Sequence, residues 1–232
     1  MKKILLASTS TLFGEPYLAY LLPYLPNFFK GVETLTFIPY ARPGGISHDD
    51  YTKTVATAFA KIEIKVVGLH TFNNPKEGLK IAEAIFVGGG NTFLLVNQLY
   101  RLELMQSLKQ KIEMGTPYLG TSAGSNIAGV SMKTTNDMPI VYPPSFDTLG
   151  VVPFNLNPHY LDPDPSSVHN GETREIRIAE FHCFNNTPVI GLREGSFITV
   201  LESETILHGP HSAKVFILGQ KPVEMKQGKV TL

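Results

Sequence analysis

The residues most able to do chemistry in this chain are Gly120-Thr121-Ser122-Ala123-Gly124. They follow a short apolar run, Pro117-Tyr118-Leu119, and precede the helix-compatible Ser125-Asn126-Ile127-Ala128. A serine flanked by glycines between a strand and a helix is how a chain exposes a nucleophilic hydroxyl on a tight turn. The turn forces close backbone contacts, which only small neighbours tolerate. The first N–H groups of the helix then point at whatever sits beside the hydroxyl. The chemistry implied is acyl transfer.

A serine hydroxyl needs a base, and a histidine base needs an acid to fix its tautomer. Seven histidines compete: His48, His70, His159, His169, His182, His208 and His211. His159 lies in Asn157-Pro158-His159-Tyr160, where proline stiffens the backbone and limits where the imidazole can wander. His208 and His211 flank Gly209-Pro210 and stay in contention. His182 reads as a surface residue of a helix. An oxyanion hole needs two backbone N–H donors. Ala123, directly after the serine, supplies one. Gly88-Gly89-Gly90 suits the other, because glycine lets the backbone approach a substrate closely; Gly89 and Gly90 are the candidates. The alternative, a phosphate or dinucleotide loop, lacks both GxGxxG spacing and a Walker lysine.

The elements that must position these residues follow from the apolar pattern. Strands are expected at 3–7, 34–39, 62–68, 84–87 and 117–120, with helices at 49–61, 92–100 and 103–113. Ser47-His48-Asp49-Asp50 is a helix-start signal for the first of these helices. Residues 16–29 contain Pro23 and Pro26 and make at best a broken helix. Strands alternating with helices imply a mostly parallel sheet covered on both faces. Ligands in such sheets sit at the carboxyl ends of strands, where both Gly88–Gly90 and Ser122 fall. Residues 132–165 read as long loops with short strands, and the six prolines of 143–165 suggest a wall or lid. A helix is expected at 173–184 with Ile176, Ala179 and Cys183 on one face. Short strands at 188–192, 196–201, 204–207, 214–218, 222–225 and 229–232 make the C-terminal part β-rich, with an antiparallel extension. Without linker or repeat, residues 1–232 read as one domain.

The composition agrees with a small-molecule enzyme. The chain has 232 residues, 43% hydrophobic and 17% charged, with a formal net charge of zero. That suits a globular fold and speaks against nucleic acid or a membrane surface as partner. Cys183 is the only cysteine, so neither an intrachain disulfide nor a cysteine-based zinc site can form. The apolar start breaks at Ser8-Thr9-Ser10-Thr11, too soon for a signal peptide, and no stretch of about 18 apolar residues exists. A cytoplasmic protein is expected, and the chemistry calls for neither cofactor nor metal.

Five motifs taken in order carry a family resemblance: Gly88-Gly89-Gly90-Asn91-Thr92, Gly120-Thr121-Ser122-Ala123-Gly124, Asn157-Pro158-His159, Gly171-Glu172-Thr173-Arg174-Glu175-Ile176-Arg177 and Gly191-Leu192-Arg193-Glu194-Gly195. Together they resemble the serine-peptidase family of peptidase E, the α-aspartyl dipeptidases, which also includes cyanophycinase. The resemblance spans essentially the whole chain. It implies a three-layer, class I glutamine-amidotransferase-like (flavodoxin-like) α/β fold. It implies Ser122 as nucleophile, His159 as base and Glu194 as orienting acid, with Asp137 in Thr135-Asn136-Asp137-Met138 as the rival acid or a substrate-ordering residue. The implied substrate is a small Asp-Xaa dipeptide. Its β-carboxylate calls for a guanidinium, because an unpaired buried charge is costly; Arg174 is the first candidate and Arg177 the second. Asn91, through its side-chain carbonyl, and Asp137 are candidates for the substrate amine. The state expected is monomer or homodimer.

Two rival readings are distinct. An α/β-hydrolase esterase would pair Ser122 with His208 or His211 and with Asp162 or Asp164. An amidotransferase-like fold that has lost catalysis would bind without turning over.

Overall fold

The computed structural model of the chain describes residues 2–166, 168 and 170–232. Among the candidates raised above, His169 lies outside the described residues. The elements in chain order are β1 (Lys3–Ala7), α1 (Leu25–Phe28), β2 (Thr34–Ile38), α2 (His48–Phe59), β3 (Lys65–Gly68), α3 (Pro75–Lys80), β4 (Ala84–Val87), α4 (Thr92–Arg101), α5 (Met105–Glu113), β5 (Tyr118–Thr121), α6 (Ala123–Asn126) and β6 (Asn155–Pro158). There follow α7 (Arg174–His182), β7 (Val189–Leu192), β8 (Phe197–Leu201), β9 (Glu204–His208), β10 (Ala213–Phe216), β11 (Val223–Met225) and β12 (Gly228–Lys229).

The larger sheet has strand order β12-β9-β8-β1-β5-β4-β2-β3. Strands β1, β5, β4, β2 and β3 pair in parallel, while β8, β9 and β12 extend the sheet antiparallel beside β1. The central strands read as unbroken apolar runs because helices cover both faces. Alternate residues separate the two faces. Ile4, Leu6, Ile85 and Val87 pack with Leu95, Leu99, Leu108 and Ile112 of α4 and α5. Leu5, Ala84 and Phe86 pack on the other side with Tyr51, Val55 and Phe59 of α2. The helix-start signal before α2 is realised: Ser47 Oγ accepts the Asp50 N–H at 3.0 Å.

A second sheet, β11-β10-β7-β6, holds the remaining β structure. Within it β6 and β7 are parallel, in register from Asn155 opposite Val189 to Pro158 opposite Leu192. Strands β10 and β11 continue antiparallel from β7. This is the β-rich C-terminal part expected above.

Three expectations are corrected. Helix α3 falls in a stretch for which no element was expected; Asn74 caps it, accepting the Lys76 N–H at 3.0 Å, and Pro75 starts it. In α7 the buried face is Ile178 and His182, whereas Ile176, Ala179 and Cys183 are exposed. Ile178 faces Tyr160, Val189 and Phe216 in a small cluster of its own. His182 is therefore no surface residue, and its Nε2 lies 3.1 Å from the Thr187 carbonyl. The segment 143–165 contributes the short strand β6 and buries Leu149, Val151, Val152, Phe154 and Tyr160.

Candidate active site

Ser122 sits between β5 and α6 with φ 51° and ψ −109°. A non-glycine residue rarely adopts a positive φ, and strain of this kind collects at functional turns. The sequence permits the turn by removing side chains beside it. A Cβ on Gly120 would lie 2.5 Å from the Gly124 carbonyl oxygen, and one on Gly124 only 2.1 Å from that of Val87. The Ser122 N–H donates to the Ala7 carbonyl at 3.1 Å, so β1 holds the elbow from behind.

His159 follows β6 directly, with φ 54°. Its Nε2 lies 2.9 Å from Ser122 Oγ and its Nδ1 2.5 Å from Glu194 Oε1. In the tautomer that completes the relay, Nδ1–H donates to the carboxylate and Nε2 accepts the serine proton. Three residues expected separately are thus brought into one hydrogen-bonded line. Ser122 comes from the larger sheet, and His159 and Glu194 come from the neighbouring ends of β6 and β7 in the second.

Two networks brace this line. Behind His159, Asn157 Nδ2 donates to the Thr134 carbonyl and to Asn136 Oδ1, both at 2.8 Å, and Asn136 Nδ2 donates to the Pro158 carbonyl at 2.7 Å. Beside Glu194, the Arg193 guanidinium makes two bonds of 2.8 Å to the Asp162 carboxylate and further bonds to Glu224 and Ser212. Hydrogen bonds from Arg193 hold the carboxyls of Asp162 and Glu224 below the usual carboxylate range. Nearest the relay is Ser8, fully buried after β1: its hydroxyl donates to the Leu192 carbonyl at 2.7 Å and accepts the His159 N–H at 2.9 Å.

On the other side of the serine, Gly89 is adjacent: a Cβ there would touch Ser122 Cβ at 3.0 Å. The Gly89 carbonyl accepts from Tyr51 Oη at 3.2 Å. Gly90 has φ 146°, with the Ala41 carbonyl oxygen 2.3 Å from where its Cβ would be. The N–H groups of Gly89, Gly90 and Ala123 donate to no group among the described residues. Free donors beside a nucleophile are what an oxyanion hole requires.

Asp137 is held in a depression shared with Ser122, His159, Thr92, Thr135 and Asn126. Its Oδ2 accepts the Thr92 N–H at 2.7 Å and the Thr135 hydroxyl at 3.1 Å, at the start of α4. It makes no hydrogen bond to His159 among the described residues, whereas Glu194 does. Asn136 also lines a larger cleft of about 480 Å³, walled by Leu161, Asp162, Gly171, Thr173, Arg174 and Arg177. Arg177 is half exposed and pairs with Glu172 at 3.9 Å. Arg174 is more enclosed: burial, then the like charge of Arg177, lowers its pKa, while Asp137 acts in the opposite direction.

Asn91, a candidate for the substrate amine, opens α4. Its side-chain carbonyl caps α4 by accepting the Leu94 N–H at 3.0 Å, and its amide donates to the Met138 carbonyl at 2.8 Å. The esterase constellation is not assembled. His208 stacks on Phe197 and its Nε2 lies 2.7 Å from Thr199 Oγ1, and Asp162 is bound to Arg193. Asp164 accepts from Ser166 Oγ at 2.6 Å. Ser8, Thr92, Thr135, Asn136 and Asn157 were absent from the sequence-based candidates. For Ser8 a signal existed, because it ends a parallel strand at the same sheet edge as Ser122.

A family model, Peptidase family S51, matches residues 4–208. The chain is 48% identical over 225 residues to a protein named Peptidase E from Streptomyces coelicolor, covering 97% of this chain and 91% of that one. It is 46% identical over 218 residues to a probable alpha-aspartyl dipeptidase from Drosophila melanogaster, covering 93% and 90%. Among solved structures, a putative peptidase E protein from Listeria monocytogenes superposes with a TM-score of 0.69 at 22% identity, covering 90% of this chain and 99% of that one. A peptidase from an acI-B1 actinobacterium superposes with a TM-score of 0.70 at 17% identity, covering 100% and 97%. These two likenesses establish the fold. Among the described residues no helix is long and apolar enough to cross a membrane.

Proposed function

The chain belongs to peptidase family S51 and is a serine-type dipeptidase, and we propose that it hydrolyses dipeptides with an N-terminal aspartate through an acyl-enzyme on Ser122. The observation that carries this reading is the hydrogen-bonded line Ser122–His159–Glu194 beside three free backbone donors. Ser122 Oγ attacks the aspartyl carbonyl carbon while His159 Nε2 takes the hydroxyl proton. Charge passing to the carbonyl oxygen is received by the N–H groups of Ala123 and of Gly89 or Gly90. His159 returns the proton to the leaving amine, the C–N bond breaks and Xaa departs. Water then attacks the ester by the same route and frees aspartate. Glu194 keeps the imidazole in the required tautomer throughout.

The substrate assignments rest on charge. Arg174 loses hydration in its cleft, and an incoming β-carboxylate would offset that cost with two parallel hydrogen bonds. Arg177 already has Glu172 as a partner, so it serves second. Asp137 keeps Oδ1 clear of hydrogen bonds among the described residues, which suits a substrate ammonium. Its role is thus substrate ordering, with Glu194 as the acid. Residues 1–232 act as one catalytic domain in this reading, since both sheets contribute to the relay. A cytoplasmic setting is part of this proposal, and the lone Cys183, which can form no intrachain disulfide, is compatible with it.

The test is a panel of Asp-Leu, Glu-Leu, Asn-Leu, Leu-Asp and Asp-Leu-Leu, run with wild type and Ser122→Ala. The expected result is hydrolysis of Asp-Leu far above the rest, falling by about 10³-fold or more in Ser122→Ala. Equal rates on Asp-Leu and Leu-Asp would overturn the substrate assignment, and an active Ser122→Ala would overturn the mechanism.

A further inference from the structure

His159 carries a conformational problem that its own strand does not solve. Its φ of 54° departs from the extended backbone of β6, which ends at the preceding residue. Left-handed backbone at a side chain with a Cβ persists only where neighbours hold it. The His159 N–H has one acceptor among the described residues, the hydroxyl of Ser8 at 2.9 Å. That hydroxyl in turn donates to the Leu192 carbonyl at 2.7 Å, two residues before Glu194. Ser8 is fully buried, so water does not compete for either bond.

The backbone around Ser8 completes the arrangement. The Ala7 carbonyl accepts the Ser122 N–H at 3.1 Å, and the Ser8 N–H donates to the Ser196 carbonyl at 3.2 Å, just past the Glu194 turn. One dipeptide at the end of β1 therefore touches the chain segments that bear nucleophile, base and acid. Only the Ser8 hydroxyl among these contacts is a side-chain group, and it is the one that joins the base to the strand carrying the acid.

We propose that Ser8 is a positioning residue for the relay: its hydroxyl locks the backbone of His159 against β7, and so sets the imidazole between Ser122 and Glu194. The inference rests on the Ser122–His159–Glu194 reading above. Ser8 makes no contact with a substrate. It acts through His159, so its removal should act on turnover rather than on substrate affinity. Without the hydroxyl, the His159 N–H loses its acceptor, while the Leu192 carbonyl keeps the Tyr160 N–H at 3.2 Å, so the loss falls on the left-handed backbone of the base itself. A misplacement of about 1 Å in such a site costs on the order of 100-fold in rate.

The experiment compares wild type, Ser8→Ala, the near-isosteric Ser8→Cys and the buried-hydroxyl control Thr36→Val. The measurements are kcat and KM on Asp-Leu, labelling rate by a fluorophosphonate, thermal midpoint and the low-field proton resonance of the His159–Glu194 hydrogen bond. Expected for Ser8→Ala is a kcat loss of about 10- to 100-fold, with KM within twofold, labelling slowed in parallel and the low-field resonance broadened or lost. Ser8→Cys should show the same split more weakly, and it carries the test if the alanine variant does not fold. Thr36→Val, which removes a buried hydroxyl far from the relay, should leave kcat and the low-field resonance unchanged. A Ser8→Ala or Ser8→Cys enzyme with wild-type kcat, or one with an unchanged low-field resonance, would overturn the proposal. An active Ser122→Ala would instead overturn the relay reading itself, so the two failures are distinguishable.

Discussion

Replacing Gly90 by alanine tests the oxyanion assignment through a steric conflict that the chain cannot avoid. Gly90 has φ 146°, where an L side chain is strained, and its Cβ would lie 2.3 Å from the Ala41 carbonyl oxygen and 2.7 Å from the Ala41 carbonyl carbon. Real Cβ atoms essentially never come within 3.0 Å of another heavy atom, and the obstacle is backbone rather than a side chain that can swing away. The backbone strain costs about 1–3 kcal/mol. Relieving the overlap by shifting the loop costs a further 1–3 kcal/mol, roughly that of overpacking a core. Any shift also carries the Gly89 and Gly90 N–H groups away from Ser122. Loss of one oxyanion donor is worth about 10²- to 10³-fold in kcat. Gly219→Ala is the control: its φ is 77°, also unfavourable, but nothing lies within 4 Å of the new Cβ. Urea unfolding and Asp-Leu turnover on both variants, with wild type, make the assay. Gly219→Ala should lose about 1 kcal/mol and keep full turnover. Gly90→Ala should lose about 2 kcal/mol or more and at least 100-fold in kcat. A Gly90→Ala enzyme with turnover within threefold of wild type would refute the assignment of this loop to the oxyanion.

Arg174→Met should cut kcat/KM on Asp-Leu by about 10- to 100-fold, as expected for losing a hydrogen-bonded ion pair, and leave a neutral dipeptide nearly unaffected; equal loss on both would make Arg174 structural. His159→Ala should lose turnover by about 10³-fold, whereas His211→Ala should keep it, and the reverse pattern in a steady-state assay would restore the esterase reading. The Arg193 cluster gives the fold a pH dependence. Asp162 and Glu224 titrate lower folded than unfolded, so their contribution is complete above about pH 4–5 and fades as pH falls through the folded values. Arg193→Met should therefore lower the urea midpoint at pH 7 and flatten its decline below pH 5; a decline as steep as that of wild type would refute the cluster's role.

The parts of the fold that could be read from sequence were those where one rule dominated. Residues 84–87 and 117–120 are apolar runs that end in glycine-rich turns, and buried parallel strands leave that mark. The serine turn was legible because Gly120 and Gly124 have no room for a Cβ, so the backbone itself demands the motif. The phase of α7 was not legible. Its sequence offers two apolar stripes, Ile176–Ala179–Cys183 and Ile178–Phe181–His182, and only the packing of Tyr160, Val189 and Phe216 selects the second. Helix α3 is six residues long and contains Gly78, too short and too weak a former for periodicity to register. The capping role of Asn91 was not legible for a physical reason too. Asparagine is as good a helix cap as a ligand donor, and the four unsatisfied N–H groups that open α4 claim it first. Ser8 carried a positional signal, but its hydrogen bonds span 151 and 184 residues, and no local pattern encodes such distances.

The parallel pairing of β6 with β7 has a consequence for how this enzyme can be altered. The register of β6 against β7, Pro158 opposite Leu192, brings His159 and Glu194 out at neighbouring strand ends. The chain between those strands leaves the sheet, forms α7 and returns, carrying Arg174 and Arg177 with it. On the proposed reading, base and acid thus bracket α7 as two sockets bracket an exchangeable cassette. Grafting another sequence between Pro158 and Val189 would redirect which peptides are accepted while the hydrolytic hardware stays seated, provided that His159, Tyr160 and the Asp162 anchor for Arg193 are retained.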